Sequence, residues 1–105
     1  MSNWSNLYEY KEDNVKEYAP TAGGVYRLSY EKEKKKYIFY VGQSNNLQRR
    51  LLEHLSDSEP DDCIKGYLGK YTCYFRFIEV KDEEERSKLE QEQIEEYNPD
   101  CNNKN

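Results

Sequence analysis

The sequence predicts an α+β fold: a small three-stranded antiparallel sheet flanked by helices, in the order β-β-α-(loop or short helix)-β-α. Three observations carry this reading. Residues 25–30 and 37–41 are alternating or β-branched and aromatic runs on either side of a short charged segment, the pattern of a hairpin. Leu47, Leu51, Leu52 and Leu55 then recur at helical spacing. A third strand-like run over 72–80 is followed by Asp82, a good helix N-cap, and a helical segment over 83–97 that Pro99 stops. Alternation of strands and helices in this order suggests helices packed on one sheet.

Element by element, residues 1–22 are polar, and Leu7, Tyr8, Tyr10, Val15 and Tyr18 suit a short helix or a wrapping arm that Ala19-Pro20 ends. Gly23-Gly24 opens the first strand, and residues 31–36 form a charged turn. Gly42 to Asn46 is turn chemistry, with Asn45 or Asn46 as N-cap of the leucine helix. Residues 61–71 are irregular, with room for one helical turn around Ile64. The expected domain runs over 23–102, after the arm and before a tail at 103–105.

One small domain is what 105 residues allow. Leu, Ile, Val and Phe number only 19, and the net charge is −5, which approaches the composition of disordered chains. Eleven tyrosines pull the other way, since each buries a large ring and asks only for a hydroxyl partner. No apolar run approaches the ~20 residues of a membrane span, and the N-terminus lacks the basic and apolar blocks of a signal peptide. Cys63, Cys73 and Cys101 are an odd number without CxxC spacing, and there is one histidine. A zinc site is therefore not expected, and free thiols in a reducing cytoplasm fit better than a disulfide. The charge is divided: residues 1–55 carry +2 and residues 56–105 carry −7. Seven basic residues between Arg27 and Arg50 make a local excess that suits either a solvated hairpin tip or a phosphate-facing surface.

Two helical positions break pattern. At about 100° per residue, Glu90 falls on the apolar stripe between Tyr97 and Ile94, away from Glu84, Glu85, Glu92, Glu95 and Glu96 on the wet side. Either Arg86, one turn before it, pairs with it, or it holds a cation. On the leucine helix, Arg50 and His54 are i, i+4 neighbours along one edge of the stripe, while Arg49 and Glu53 suit an exposed ion pair on the far side. With a hairpin turn centred near Glu33, Tyr26 is expected opposite Tyr40, as a tyrosine ladder or as two phenols beside the Arg50/His54 edge.

Taken in order, these pieces resemble the GIY-YIG nuclease family. Gly24-Val25-Tyr26 matches the GIY signature and Tyr40-Val41-Gly42 the YIG signature, with valine for isoleucine in both. YVGQSNNLQRRLLEH resembles the second block, with Arg50 ten residues after Tyr40 and His54 one turn later. Glu90, Pro99 and Asn102 match the third block, a helical glutamate with an asparagine twelve residues on, after a proline. The resemblance implies a metal-dependent endonuclease that cleaves DNA phosphodiesters. Glu90 is then the single protein ligand of one Mg²⁺ or Mn²⁺ ion, and Arg50 the clamp on the scissile phosphate. Tyr26 orients or deprotonates the water, with Tyr40 as its rival. His54 assists either tyrosine or binds phosphate, and Asn102 positions the last helix or the leaving side. Gln43 stands where the family often has lysine, so Arg49 or the cluster Lys34, Lys35 and Lys36 is expected to supply that charge. The implied partners are structured or nicked DNA with little sequence preference and a targeting protein subunit, with no membrane. Two other functions fit the residues: a catalytically silent nucleic-acid-binding or accessory module, and an interaction domain using its acidic last helix.

Overall fold

The structure, a computed structural model, describes residues 3–102. Its elements are β1 (Tyr8–Glu9), α1 (Glu12–Tyr18), β2 (Gly24–Lys32), β3 (Lys35–Ser44), α2 (Leu47–Leu55), α3 (Asp62–Lys70), β4 (Cys73–Glu79), α4 (Glu83–Tyr97) and a 3₁₀ turn at Asp100–Asn102. The sheet has four strands rather than three, in the order β1-β4-β2-β3, every pair antiparallel. The additional strand is two residues long: Tyr8 and Glu9 pair with Phe75 and Tyr74. So short a run carries no period-2 signal.

The charged segment 31–36 is mostly ladder. Only Glu33 and Lys34 turn the chain, both with positive φ (53° and 68°), and pairing runs on to Lys32–Lys35. Glu31 and Lys36 face each other and close an ion pair at 3.3 Å. The register also differs from expectation. A bulge between Leu28 and Ser29 shifts the pairing, so Tyr26 lies opposite Gly42, and Leu28, not Tyr26, lies opposite Tyr40. Tyr26 and Tyr40 become diagonal neighbours on one face, their rings 6.1 Å apart.

Two glycines mark close approaches. A Cβ at Gly24 would lie 2.2 Å from the Ile78 carbonyl oxygen, so the β2–β4 pair needs a bare backbone there. A Cβ at Gly42 would lie 2.4 Å from Tyr26 Oη, so the Tyr26 ring lies against the β3 backbone only because nothing projects from it.

The two faces of the sheet are covered differently. On one, Tyr26, Leu28 and Phe75 meet Leu47 and Leu51 of α2, Ile64 of α3, and Tyr10, Val15 and Ala19 from the N-terminal residues, all buried. Full burial of an aliphatic side chain such as Leu51 contributes roughly 1.5–3 kcal/mol. On the other face lies α4: Arg27 donates to Gln93 at 2.8 Å and sits between the rings of Trp4 (3.9 Å) and Tyr97 (5.0 Å). The caps agree with the sequence. Asn46 accepts from the Arg49 N–H and Asp82 from the Glu85 N–H, and Asn98 ends α4 in the left-handed conformation before Pro99.

Residues 61–71 are not irregular. Asp61 caps a full nine-residue helix by accepting from the N–H groups of Cys63 and Ile64. Gly66 and Gly69 lower its intrinsic propensity. Tertiary packing outweighs that, since Ile64 is buried and Tyr67 stacks on Phe39 at 4.6 Å and Tyr30 at 4.9 Å. The cysteine expectation is also corrected. Cys63 and Cys101 form a disulfide across 38 residues, tying the start of α3 to the 3₁₀ turn, and only Cys73 is free. Sequence spacing did not disclose this, because the pair depends on α3 being a helix. Among the described residues, no helix is long and apolar enough to cross a membrane.

Candidate active site

β3 is an edge strand, with α2 on one side of the sheet and α4 on the other. Its Tyr40 stands where these surfaces meet. The Tyr40 ring is 6.1 Å from that of Tyr26 and edge-on to His54 at 5.6 Å. Burial raises the Tyr40 phenol above its usual pKa, the Arg50 charge opposes that rise, and Glu90 and Asp61 add to it. Groups from β2, α2, α4 and the loop before α3 therefore act on the one phenol that β3 carries.

Tyr26 is fully buried, whereas Tyr40 keeps some exposed surface. The Tyr26 hydroxyl is 2.7 Å from Nε2 of His54. Its pKa is pushed well above that of a free tyrosine, by burial first and then by Tyr40, with Arg50 opposing. Of the two phenols, Tyr40 is therefore the one with surface open to solvent.

His54 is not a boundary residue. It is 1% exposed and bridges two partners, with Nδ1 2.9 Å from Glu59 Oε2 on the side away from Tyr26. Burial and the neighbouring Arg50 lower its pKa, more than Glu59 raises it, so the ring is neutral near pH 7. Glu59 is itself buried, and its Oε1 accepts from the Asp61 N–H at 3.0 Å. Sequence reasoning missed Glu59, which lies in the loop between α2 and α3 with no periodicity to mark it.

Arg50 is one-third exposed and bonded to Glu53 at 3.1 Å through one guanidinium nitrogen, with its charge acting on Tyr26, Tyr40 and His54. Glu90 is half-buried on α4, and burial raises its carboxyl pKa while a hydrogen bond from Gln43 Nε2 (3.1 Å) opposes the rise. Arg86 does not pair with it: the guanidinium turns to the carbonyls of Val80 and Lys81 at 3.2 and 3.1 Å. Gln43 also donates to Ser87, so its amide aligns the Glu90 face of α4 with β3.

The remaining candidates divide. Asn102 clamps the edge strand, accepting from the Val41 N–H and donating to the Val41 carbonyl, both at 2.8 Å. That is a support for the strand bearing Tyr40. Arg49 points to the exposed side, toward Asn45 and Glu53. Lys34, Lys35 and Lys36 lie at the far end of the hairpin, about 13–20 Å along the strand from Tyr40. Lys36 is occupied by Glu31 and the Tyr74 ring. None of these four basic side chains joins the cluster around Tyr40. Among the described residues no three His, Cys, Asp or Glu side chains group as a metal cage.

A family model described as UvrC-like GIY-YIG domain matches residues 22–103. The chain belongs to this family. It is 32% identical to the UvrABC system protein C of Bdellovibrio bacteriovorus over 98 residues, 93% of this chain and 15% of that protein. The Aquifex aeolicus protein of the same name is 32% identical over 92 residues, again 15% of its length. The chain thus spans about a seventh of these relatives. Among solved structures it resembles the GIY-YIG N-terminal endonuclease domain of UvrC from Thermotoga maritima. A point mutant of that domain bound to its catalytic divalent cation superimposes with a TM-score of 0.66 at 25% identity, covering 90% of this chain and 99% of the other. The magnesium-bound form, at 22% identity and a TM-score of 0.63, covers 85% and 96% and supports the fold.

Proposed function

We propose that the chain is a divalent-metal-dependent endonuclease hydrolysing DNA phosphodiester bonds. The observation that carries this reading is the convergence on Tyr40 of a guanidinium, a half-buried carboxylate and a buried Tyr–His pair, drawn from β2, α2 and α4.

Glu90 suits one Mg²⁺ or Mn²⁺ ion. Its carboxylate is held partly out of water, its helical neighbour Arg86 is directed elsewhere, and a hard oxygen donor with few protein companions fits an ion that keeps much of its water. The ion would lower the pKa of a bound water and neutralise charge on the phosphoryl oxygens. The chain's own groups supply the rest. Arg50 grips the phosphate, since only one of its nitrogens is occupied by Glu53. Tyr40, the more exposed phenol, orients the attacking water and receives its proton. Tyr26 stands behind it, bonded to His54. Asn102 and Gln43 hold β3 and α4 in register, so that Tyr40 and Glu90 face one space.

DNA is the substrate this chemistry points to, and structured or nicked forms are the class we propose. A separate targeting subunit, a role in repair and a location in the cytoplasm complete the proposal. The test is incubation with supercoiled plasmid and with branched DNA in Mg²⁺, Mn²⁺ or EDTA. Nicking with either metal and none in EDTA is expected. Salt-sensitive DNA binding without cleavage would instead identify a silent binding module.

A further inference from the structure

We propose that Glu59 is a positioning residue that fixes the tautomer of His54, making its Nε2 the terminal acceptor for the proton leaving Tyr40 and Tyr26. The proposal rests on the endonuclease reading and goes beyond it, because Glu59 lies outside all three signature blocks.

A carboxylate only accepts. Both oxygens of Glu59 are used: Oε1 takes the Asp61 N–H at 3.0 Å and Oε2 faces His54 Nδ1 at 2.9 Å. Nδ1 must then carry the hydrogen. In a neutral ring that leaves a lone pair on Nε2, 2.7 Å from Tyr26 Oη, so the Tyr26 hydroxyl donates to it. The side chains of His54 and Glu59 are 0% and 1% exposed, and water does not compete with either bond. The backbone also fixes Glu59 in place, its N–H donating to the Ser56 carbonyl at 3.1 Å. The charged or titratable groups around the imidazole are Arg50 from its own helix, Tyr26 from β2, Tyr40 from β3, and Glu59 and Asp61 from the loop.

The arrangement follows the logic by which a buried carboxylate orients a histidine base behind a hydroxyl. As the water oxygen forms its bond to phosphorus, its proton passes to Tyr40 Oη. The Tyr40 proton passes to Tyr26 Oη, since the two phenols interact through a side-chain hydrogen bond, and the Tyr26 proton passes to His54 Nε2. The bond from phosphorus to the leaving deoxyribose oxygen breaks with its electron pair, and that oxygen takes a proton from solvent. The imidazolium so formed lies against the Glu59 carboxylate and returns its proton to solvent after product leaves.

The chain has a single histidine, so ¹⁵N NMR of the ring is unambiguous. Wild type is expected to show a protonated Nδ1 and an unprotonated Nε2. In Glu59→Gln the amide has one acceptor, which the Asp61 N–H occupies, and its NH₂ then faces Nδ1. The tautomer should reverse, with Nε2–H donating to Tyr26. We expect kcat for nicking to fall about 10²-fold with KM for DNA unchanged. Glu59→Asp keeps both acceptors and should keep the wild-type tautomer and part of the activity. A wild-type ring protonated on Nε2 overturns the proposal without any variant. So does a reversed tautomer in Glu59→Gln with undiminished kcat. A wild-type protein that holds the Nδ1–H tautomer but cuts no DNA overturns the nuclease reading while supporting the hold of Glu59 on His54.

Discussion

Replacing Gly42 by alanine puts the packing at the centre of the site to a direct test. The added methyl would lie 2.4 Å from Tyr26 Oη, 2.5 Å from its Cζ and 2.8 Å from Tyr40 Cε2, all well inside van der Waals contact. Neither ring yields freely. Tyr26 is fully buried and bonded to His54, and Tyr40 packs on both. Both must move about 1 Å, and overpacking of this kind costs about 1–3 kcal/mol. Breaking the Tyr26–His54 bond adds roughly 1 kcal/mol. For a domain of this size the sum corresponds to a melting temperature lower by about 8–25 °C. Thermal melts followed by circular dichroism read this directly. Tyr26→Phe removes the closest clashing atom and leaves Cζ, so the double variant Gly42→Ala/Tyr26→Phe should lose less than the sum of the two single changes. A Gly42→Ala protein melting within about 2 °C of wild type would refute the packing argument.

Other consequences follow from the same geometry. Arg50→Ala should cut nicking by about 10²–10³-fold while shifting the urea midpoint little, because its direct partner among the described residues is the half-exposed Glu53; retained activity would remove it from the phosphate site. Tyr40→Phe should lose more rate than Tyr26→Phe, and the opposite ranking would return the water to Tyr26. Folding raises the Glu90 carboxyl pKa above the ordinary 4.5, so its protonated form is favoured in the folded state, and that contribution is lost as pH rises through the folded value. Glu90→Gln should therefore be at least as stable as wild type at pH 7 in urea titrations, though inactive. His54 has the reverse sign. Its folded pKa lies below 6.5, so stability falls as pH drops below about 6.5, by at most about 1.4 kcal/mol per pH unit. Reducing the Cys63–Cys101 disulfide should cost up to about 4 kcal/mol of stability on a chain-entropy argument. It should also weaken nicking by loosening the adjacent Asn102 clamp on Val41.

The parts of the fold legible in the sequence were those with periodic or capping signals. The leucine spacing and Asn46 located α2, and Asp82 with Asn98 and Pro99 bounded α4. The unread parts lack such signals. α3 is a glycine-bearing helix held by stacked rings from β2 and β3, an energy that no local window contains. The hairpin bulge is one residue of slack that composition does not mark, and it turned an expected cross-strand pair into a diagonal one. At the site, the odd placement of Glu90 on its wheel pointed correctly to a half-buried carboxylate. The edge position of His54 gave no hint of its full burial, because Glu59 and the strands that enclose it are distant in sequence or aperiodic. The basic excess divides: its lysines sit at the hairpin tip, one of the two readings the sequence left open, whereas the Arg50 charge acts on Tyr40.

The central claim is that Glu90 and Tyr40 face one metal-bearing space at the open edge of the sheet. Crystals soaked in Mn²⁺ and measured for anomalous scattering test it without recourse to activity. One peak is expected about 2–2.3 Å from a Glu90 carboxylate oxygen, on the side facing Tyr40 and absent in Glu90→Gln. A peak held elsewhere in the chain, with Glu90 free of metal at saturating Mn²⁺, would contradict the account.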